Sequence, residues 1–479
     1  MIFNSFQYMI FLPVVFLLHW LIPSRHRWIL LLIASYYFYM SWNAKYVVLI
    51  LFTTLVSYLA AILIEATDSG RKKKIILFGT LIACLGVLGV FKYFNFFAET
   101  LSNLFQAFSI PLHPVTLKLL LPVGISFYTF QTLSYVIDVY RGTIRAEHHF
   151  GIYATFVSFF PQLVAGPIER SGNLLHQIRD DREFDYFTAR EGLRLMAWGY
   201  FKKIALADTL AVYADIIYNN VQANHGLALI IATLFFSIQI YCDFSGYSDI
   251  AIGSAKLFNI RLMENFRSPY LSCSVREFWS KWHISLSTWF RDYVYIPLGG
   301  NRVSKVRHKI NLMITFLVSG LWHGANWTFV LWGGLHGFAQ VLETTFSPRK
   351  EKSAKKRWVP IKMLFVFCFV TLAWVFFRAQ TIHDAFYVFC HAFDGISDPA
   401  RYIYRGYRDM HMQFSLVIRC MIMMIILFLH DLIATKYDIQ KLIDRVPVIP
   451  RWIGYVFFVC LIIILMPIRA DQEFIYFQF

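Results

Sequence analysis

From Ile75 to Val90 no side chain carries a charge, and comparable apolar runs recur along the chain. A membrane-spanning helix needs about 20 mostly apolar residues. Candidate spans lie near 6–22, 28–42, 46–65, 75–97, 117–139, 150–166, 190–218, 227–258, 309–322, 326–346, 359–377, 415–434 and 451–468. Water could not tolerate so much apolar surface. Hydrophobic residues fill 58% of the 479 positions and charged residues 15%, against about 45–50% and about 25% in soluble domains. Mean hydropathy is +0.52. Lipid leaves two ways to satisfy the backbone, helices and closed barrels. Barrel strands alternate with period two, and a continuous run such as Ile75–Val90 does not. The expectation is an all-α polytopic protein with eleven to thirteen membrane helices, forming one transmembrane domain over 1–479.

The net charge is +16. Lys and Arg concentrate in short connectors, notably Arg71–Lys74 and the stretch from Arg349 to Arg357. That is the pattern of cytoplasmic loops beside anionic lipid, not of a nucleic-acid surface. With Arg71–Lys74 inside, counting back three spans puts Arg25–Arg27 inside and the N-terminus outside. A literal count forward puts the Arg349 stretch outside, against its charge, so one short segment between should be re-entrant. The apolar stretch Met9–Ile22 has no basic region before it and no small-residue cleavage site after it, which favours a first membrane helix over a signal peptide. The seven cysteines are scattered, without CxxC or zinc-type Cys/His spacing. They suit small core positions, and no metal site is expected.

A charge at the bilayer centre costs roughly 2.5–3.5 kcal/mol, so polar groups inside apolar runs need a reason. His323 sits in Ser319–Trp327, flanked by Gly320 and Gly324. A buried neutral imidazole can act as a general base. It can equally be a structural histidine bonded to a carbonyl in a broken helix. His336, in Leu331–Gly337, lies thirteen residues further on. On a straight helix that is a rise of ~20 Å on roughly opposite faces; a bend at the intervening glycines would allow direct pairing with His323 in catalysis, while a supporting role is the leading expectation. Asp243 and Asp249 interrupt the run 227–258. Structural hydrogen bonding suits Asp249, while Asp243 could orient a histidine, pair with an Arg or cap a helix. Pro161 and Pro167 break helix geometry within Phe160–Arg170, either a helix end with an interfacial ion pair or a cavity-lining loop. Ser268–Val306 is too polar to span. It sets Arg276, Glu277, Lys281, His283, Arg291 and Asp292 among Trp and Tyr residues. Spacing favours an amphipathic interfacial helix, with an active-site rim as the alternative.

Several strings resemble the membrane-bound O-acyltransferases, and within them the membrane subunits that acetylate alginate and peptidoglycan. They are FFPQLVAGPIER at 159–170, IYCDFSGYSDIAIG at 240–253, FWSKWHISLSTWFRDYVYIPLGG at 278–300 and GLWHGANWTFVLWGGLHG at 320–337. The opening MIFNSFQYMIFLPVVFLLHWLIP and the ending EFIYFQF at 473–479 also fit. The resemblance implies a ring of helices around a funnel or tunnel pinched at His323, the counterpart of the family's active-site histidine. It makes His336 a second motif histidine and Tyr476 a candidate acyl carrier. An interfacial aromatic belt is the plainer reading of that ending.

The expected chemistry is acetyl transfer from acetyl-CoA, a substrate and not a bound cofactor, to an extracytoplasmic polysaccharide. Trp322, Asn326, Asp243, His283, Arg291 and Asp292 are the expected supporting or donor-binding residues. Asn326, Trp322 or backbone N–H groups near Gly324 could serve the oxyanion. The resemblance also implies an SGNH-type acetyltransferase partner and a bacterial cytoplasmic membrane. D-alanyl or other acyl transfer is the alternative within the class. A polysaccharide exporter is the alternative outside it, but no internal repeat of the kind common in transporters is evident.

Overall fold

The computed structural model describes residues 1–111, 113–164, 166–346 and 358–466. Tyr476, the motif at 473–479 and the basic stretch from Arg349 to Arg357 lie outside the described residues. Every regular element is helical, with no strand among the described residues.

The helices in chain order are α1 Phe6–Leu21, α2 Arg27–Asn43, α3 Val47–Ala66, α4 Gly70–Leu88, α5 Phe94–Ala107, α6 Ile125–Tyr140, α7 Phe150–Ser158, α8 Phe160–Leu163, α9 Ser171–Arg179, α10 Tyr186–Tyr200 and α11 Asp208–Tyr218. They continue as α12 Leu227–Leu257, α13 Val275–Lys281, α14 Ile284–Phe290, α15 Lys305–His323, α16 Trp327–Phe346, α17 Val359–Arg378, α18 Ile382–His391, α19 Pro399–Asp409, α20 Phe414–Ala434, α21 Ile439–Asp444 and α22 Val448–Leu465. Six described stretches are long and apolar enough to cross a membrane: Ser24–Ala66, Gly70–Ala107, α12, α17, α20 and α22. The first holds two of the expected spans, α2 and α3, joined by a short 3-10 turn. On α22 the side chains of Phe457, Ile463 and Ile464 point outward. Lipid, itself apolar, accepts such a surface.

Two expected spans are reshaped by proline. The run 117–139 becomes helical only from Ile125, after Pro122. The run 150–166 breaks at Phe159 and restarts as α8 with Pro161 in its first turn. Proline lacks an N–H, and the first turn has no intrahelical use for one.

The chain divides into two compact units, Met1–Met196 with Ser248–Met263, and Ala197–Tyr247 with Glu264–Phe479. In the first, Phe11 meets Phe160 edge-on at 5.1 Å, and Phe160 meets Phe258 at 6.0 Å. Tyr8 Oη lies 2.8 Å from Ser254 Oγ. Glu169, from the Phe160–Arg170 stretch, is fully buried and accepts from Asn173 Nδ2 and from the Met263 backbone N–H. These amide partners tie the stretch to the chain after α12. Burial pushes the Glu169 carboxyl up to about 7.

The second unit explains the polar interruption of α12. Asp243 Oδ1 and Asp208 Oδ1 each lie 2.7 Å from Lys203 Nζ, and all three side chains are buried. Lys202 Nζ donates to Ser245 Oγ at 2.9 Å, and Tyr241 Oη donates to Asp431 at 2.7 Å. Lys202 and Lys203 belong to a π-helical segment, Phe201–Ala207, between α10 and α11. The residues Tyr241, Asp243 and Ser245 thus form a seam binding α12 to that segment and to α20.

Candidate active site

His323 is the last residue of α15 and is 2% exposed. The chain then turns at Gly324 and Asn326 and returns as α16. Asn326 shapes that return. Its Oδ1 accepts from the Thr328 N–H at 3.0 Å, and its Nδ2 donates to Gln380 O at 2.9 Å. In this arrangement its amide supports the turn.

The two helices pack with almost nothing between them. A Cβ on Gly320 would lie 2.3 Å from Phe329 O, and one on Gly333 would lie 2.3 Å from Phe316 O. Only glycine permits this approach. It sets the end of α15 against α16.

Aromatic rings enclose His323. Trp322 and Trp332 lie 5.0 Å from its ring and Phe377 lies 5.4 Å away, all at steep angles. A further neighbour is a second histidine, His283, with ring centroids 6.4 Å apart. His283 is fully buried, packed edge-on against Phe244 at 4.5 Å. Burial holds its imidazole well below the ordinary value, so the ring is neutral.

The backbone of His283 is left-handed, with φ 43°. This conformation ends α13 and starts α14. Asn265 secures it: the Ile284 N–H donates to Asn265 O at 3.0 Å, and Ser285 N and Oγ donate to Asn265 Oδ1 at 3.2 and 2.8 Å. The stretch expected as an interfacial helix is therefore two short helices folded inward. Phe278, Trp279, Trp282, Leu286, Trp289 and Phe290 are all buried.

His336 stands on α16, one turn beyond Trp332, and is wholly buried. Trp332 touches both motif histidines, at 5.0 Å each. Trp279 Nε1 donates to His336 Nδ1 at 3.1 Å. An Nδ1 that accepts must carry a lone pair, so the neutral ring bears its proton on Nε2. His336 thus braces the aromatic wall behind His323 and does not face it directly.

Among the expected residues, the structure brings His283, Trp322, His323 and, through Trp332, His336 into one cluster. Asp243 belongs to the lysine seam. Arg291 and Asp292 form a fork with each other, at 2.7 and 3.2 Å. Trp279, Trp332, Phe377 and Lys203 were not singled out by sequence. Lys203 and Asp208 carried a signal, being charges inside the apolar run 190–218. Trp279 and Trp332 lie inside the strings at 278–300 and 320–337, but nothing local marks them as packing on the histidines, and Phe377 comes from a separate helix.

Residues 143–382 match the membrane-bound O-acyltransferase family. The chain is 41% identical over 390 residues to the probable alginate O-acetylase AlgI of Pseudomonas putida, covering 80% of this chain and 79% of that protein. It is 36% identical over 408 residues to the peptidoglycan O-acetyltransferase of Helicobacter pylori, covering 78% and 76%. A teichoic acid D-alanyltransferase of Streptococcus thermophilus is 29% identical over 258 residues, covering 50% and 61%.

Proposed function

Because the chain belongs to the membrane-bound O-acyltransferase family, we propose that it passes acetyl groups from cytosolic acetyl-CoA across a bacterial cytoplasmic membrane toward hydroxyls of an envelope polysaccharide. The polysaccharide is alginate-like or peptidoglycan, as the names of its relatives suggest. That the chain is a multi-pass O-acyltransferase follows from the family and its apolar helices.

One observation carries the reading. A buried histidine closes α15 inside a ring of aromatic side chains with a second, neutral histidine beside it. In this dry enclosure His323 acts as general base. It takes the proton from a hydroxyl while that oxygen attacks the thioester carbonyl. The C–O bond forms and the carbonyl electrons move onto oxygen. Collapse breaks the C–S bond, and the leaving thiolate recovers the proton from the imidazolium. The C-terminal end of α15 carries partial negative charge, which suits a side chain that becomes cationic. His283, His336, Trp279 and Trp332 position the ring and exclude water.

The first hydroxyl is that of Tyr476, whose phenol has an ordinary pKa near 10 and needs such a base. A phenyl ester is reactive enough to hand the acetyl group on. An SGNH-type acetyltransferase outside the membrane completes delivery, with the N-terminus on the same side. The test is purified protein incubated with radiolabelled acetyl-CoA, digested and mapped. Label on Tyr476, absent from Tyr476→Phe, is expected. Label passing to polymer with Tyr476→Phe intact rules the relay out. The resemblance to a D-alanyltransferase supports a second reading, tested by offering D-alanyl carrier protein as donor.

A further inference from the structure

Within the second unit, away from the histidine cluster, the turn before α12 and the end of α18 bring together His225, His391 and Asp394. One donor atom from each lies within 4.8 Å of the other two. We propose that these three side chains bind a single divalent transition-metal ion of the Zn2+, Ni2+ or Cu2+ class, which cross-links the two segments.

Local hydrogen bonds define how each ring meets a metal. Tyr387 Oη donates its one proton to Gln222 O at 3.1 Å. Its contact with His225 Nδ1 at 2.9 Å therefore has the ring nitrogen as donor. That fixes the proton on Nδ1 and leaves the lone pair on Nε2. His391 Nδ1 lies 2.6 Å from Asp394 Oδ2; an ion seated between them takes the place of the ring proton, with His391 binding through Nδ1 and Asp394 through Oδ2. For His225, a second nitrogen that donates to a neighbouring oxygen is the usual arrangement of a metal ligand. The two rings stand 6.2 Å apart, and Tyr387 packs on His391 at 4.1 Å.

The backbone also holds the site in place. Gly226 N–H donates to His391 O at 2.8 Å. Gly226 has φ +65°, and a Cβ there would lie 2.9 Å from Asp394 O. The two segments are pinned at the point where the donor atoms converge, so little ordering remains for an ion to bring about. Imidazole and carboxylate together suit Zn2+, Ni2+ and Cu2+, whereas Mg2+ and Ca2+ prefer all-oxygen shells. Three protein donors at a half-exposed surface leave the remaining positions to water. No metal site is legible in the sequence, because His225 is separated from His391 and Asp394 by more than half the second unit's chain.

The test uses full-length protein in detergent without a histidine tag. Equilibrium dialysis against Zn2+ should give one ion per chain, with affinity at least tenfold weaker in His225→Ala and in His391→Ala. Tyr387→Phe, which frees the His225 tautomer, should weaken binding about tenfold. His383→Ala, a neighbouring exposed histidine, should bind like wild type. Zn2+ should raise the thermal midpoint of wild type but not of His225→Ala/His391→Ala. Should those variants fold poorly, Cu2+ bound to wild type gives an electron paramagnetic resonance spectrum that reports its ligands. Coupling to two imidazole nitrogens is expected. No stoichiometric ion, equal affinity in the double variant, or a copper spectrum without two nitrogens overturns the proposal. Acetyl transfer is measured separately, so failure here leaves the catalytic reading standing.

Discussion

His283 adopts φ 43°, a left-handed conformation that costs a non-glycine residue roughly 1–2 kcal/mol. Such strain gathers where surrounding structure places a side chain for a purpose. Here the placed side chain stands beside His323. His283→Gly should be more stable than His283→Ala by about 1 kcal/mol, reversing the order seen inside helices. Thermal unfolding in detergent reads this, and a more stable alanine variant contradicts it. Glu169 offers a second test at this scale. Its carboxyl is raised by burial to about 7 from an ordinary 4.5. The folded state then holds the proton more tightly than the unfolded state. The resulting stability is complete below about pH 4.5 and is lost as pH rises through about 7. The thermal midpoint should fall across that window, and Glu169→Gln should flatten the fall. An unchanged slope in Glu169→Gln would assign it to other groups.

Among the elements, the π-helical segment Phe201–Ala207 has the clearest structural task. It brings Lys203 against Asp208 and Asp243, two buried carboxylates sharing one cation. Breaking a buried pair by removing one partner typically costs 3–5 kcal/mol, because the remaining charge is stranded. Lys203→Met should cost about that much and lower the yield of folded protein. Lys203→Met/Asp208→Asn/Asp243→Asn should recover most of it, with size-exclusion yield and thermal midpoint as readouts. A triple variant as damaged as the single one refutes this role. Asp243 illustrates how far sequence carries. Its presence in an apolar run called for a partner, and pairing with a cation was among the options, but the expected cation was Arg. Lys203 and Asp208 were visible as charges in the run 190–218 by the same reasoning. The apolar runs located most helices, since lipid imposes their length and composition. They could not foresee α13 and α14. That stretch looked interfacial because its aromatic residues are mixed with charges, yet those aromatic residues are buried. Likewise His323 and His336 stood out as histidines beside glycines in apolar company. The brace from Trp279 to His336 joins residues 57 apart and exists only in the fold.

At the scale of the whole molecule, membership of the membrane-bound O-acyltransferase family sets the enzyme class. Relatives matched over about four-fifths of the chain include alginate O-acetylases. The helices bury His323 among aromatic side chains, the setting in which the proposed general base would work. The claim everything else depends on is that His323 performs the proton transfer while His336 braces it. The most direct measurement is the rate of acetyl release from acetyl-CoA by purified His323→Ala, beside wild type and His336→Gln, each shown to be monodisperse and helical. A general base contributes about 10²–10⁴-fold. His323→Ala should lose at least that with its fold intact, and His336→Gln should lose less. A His323→Ala enzyme within a few-fold of wild type would contradict the account.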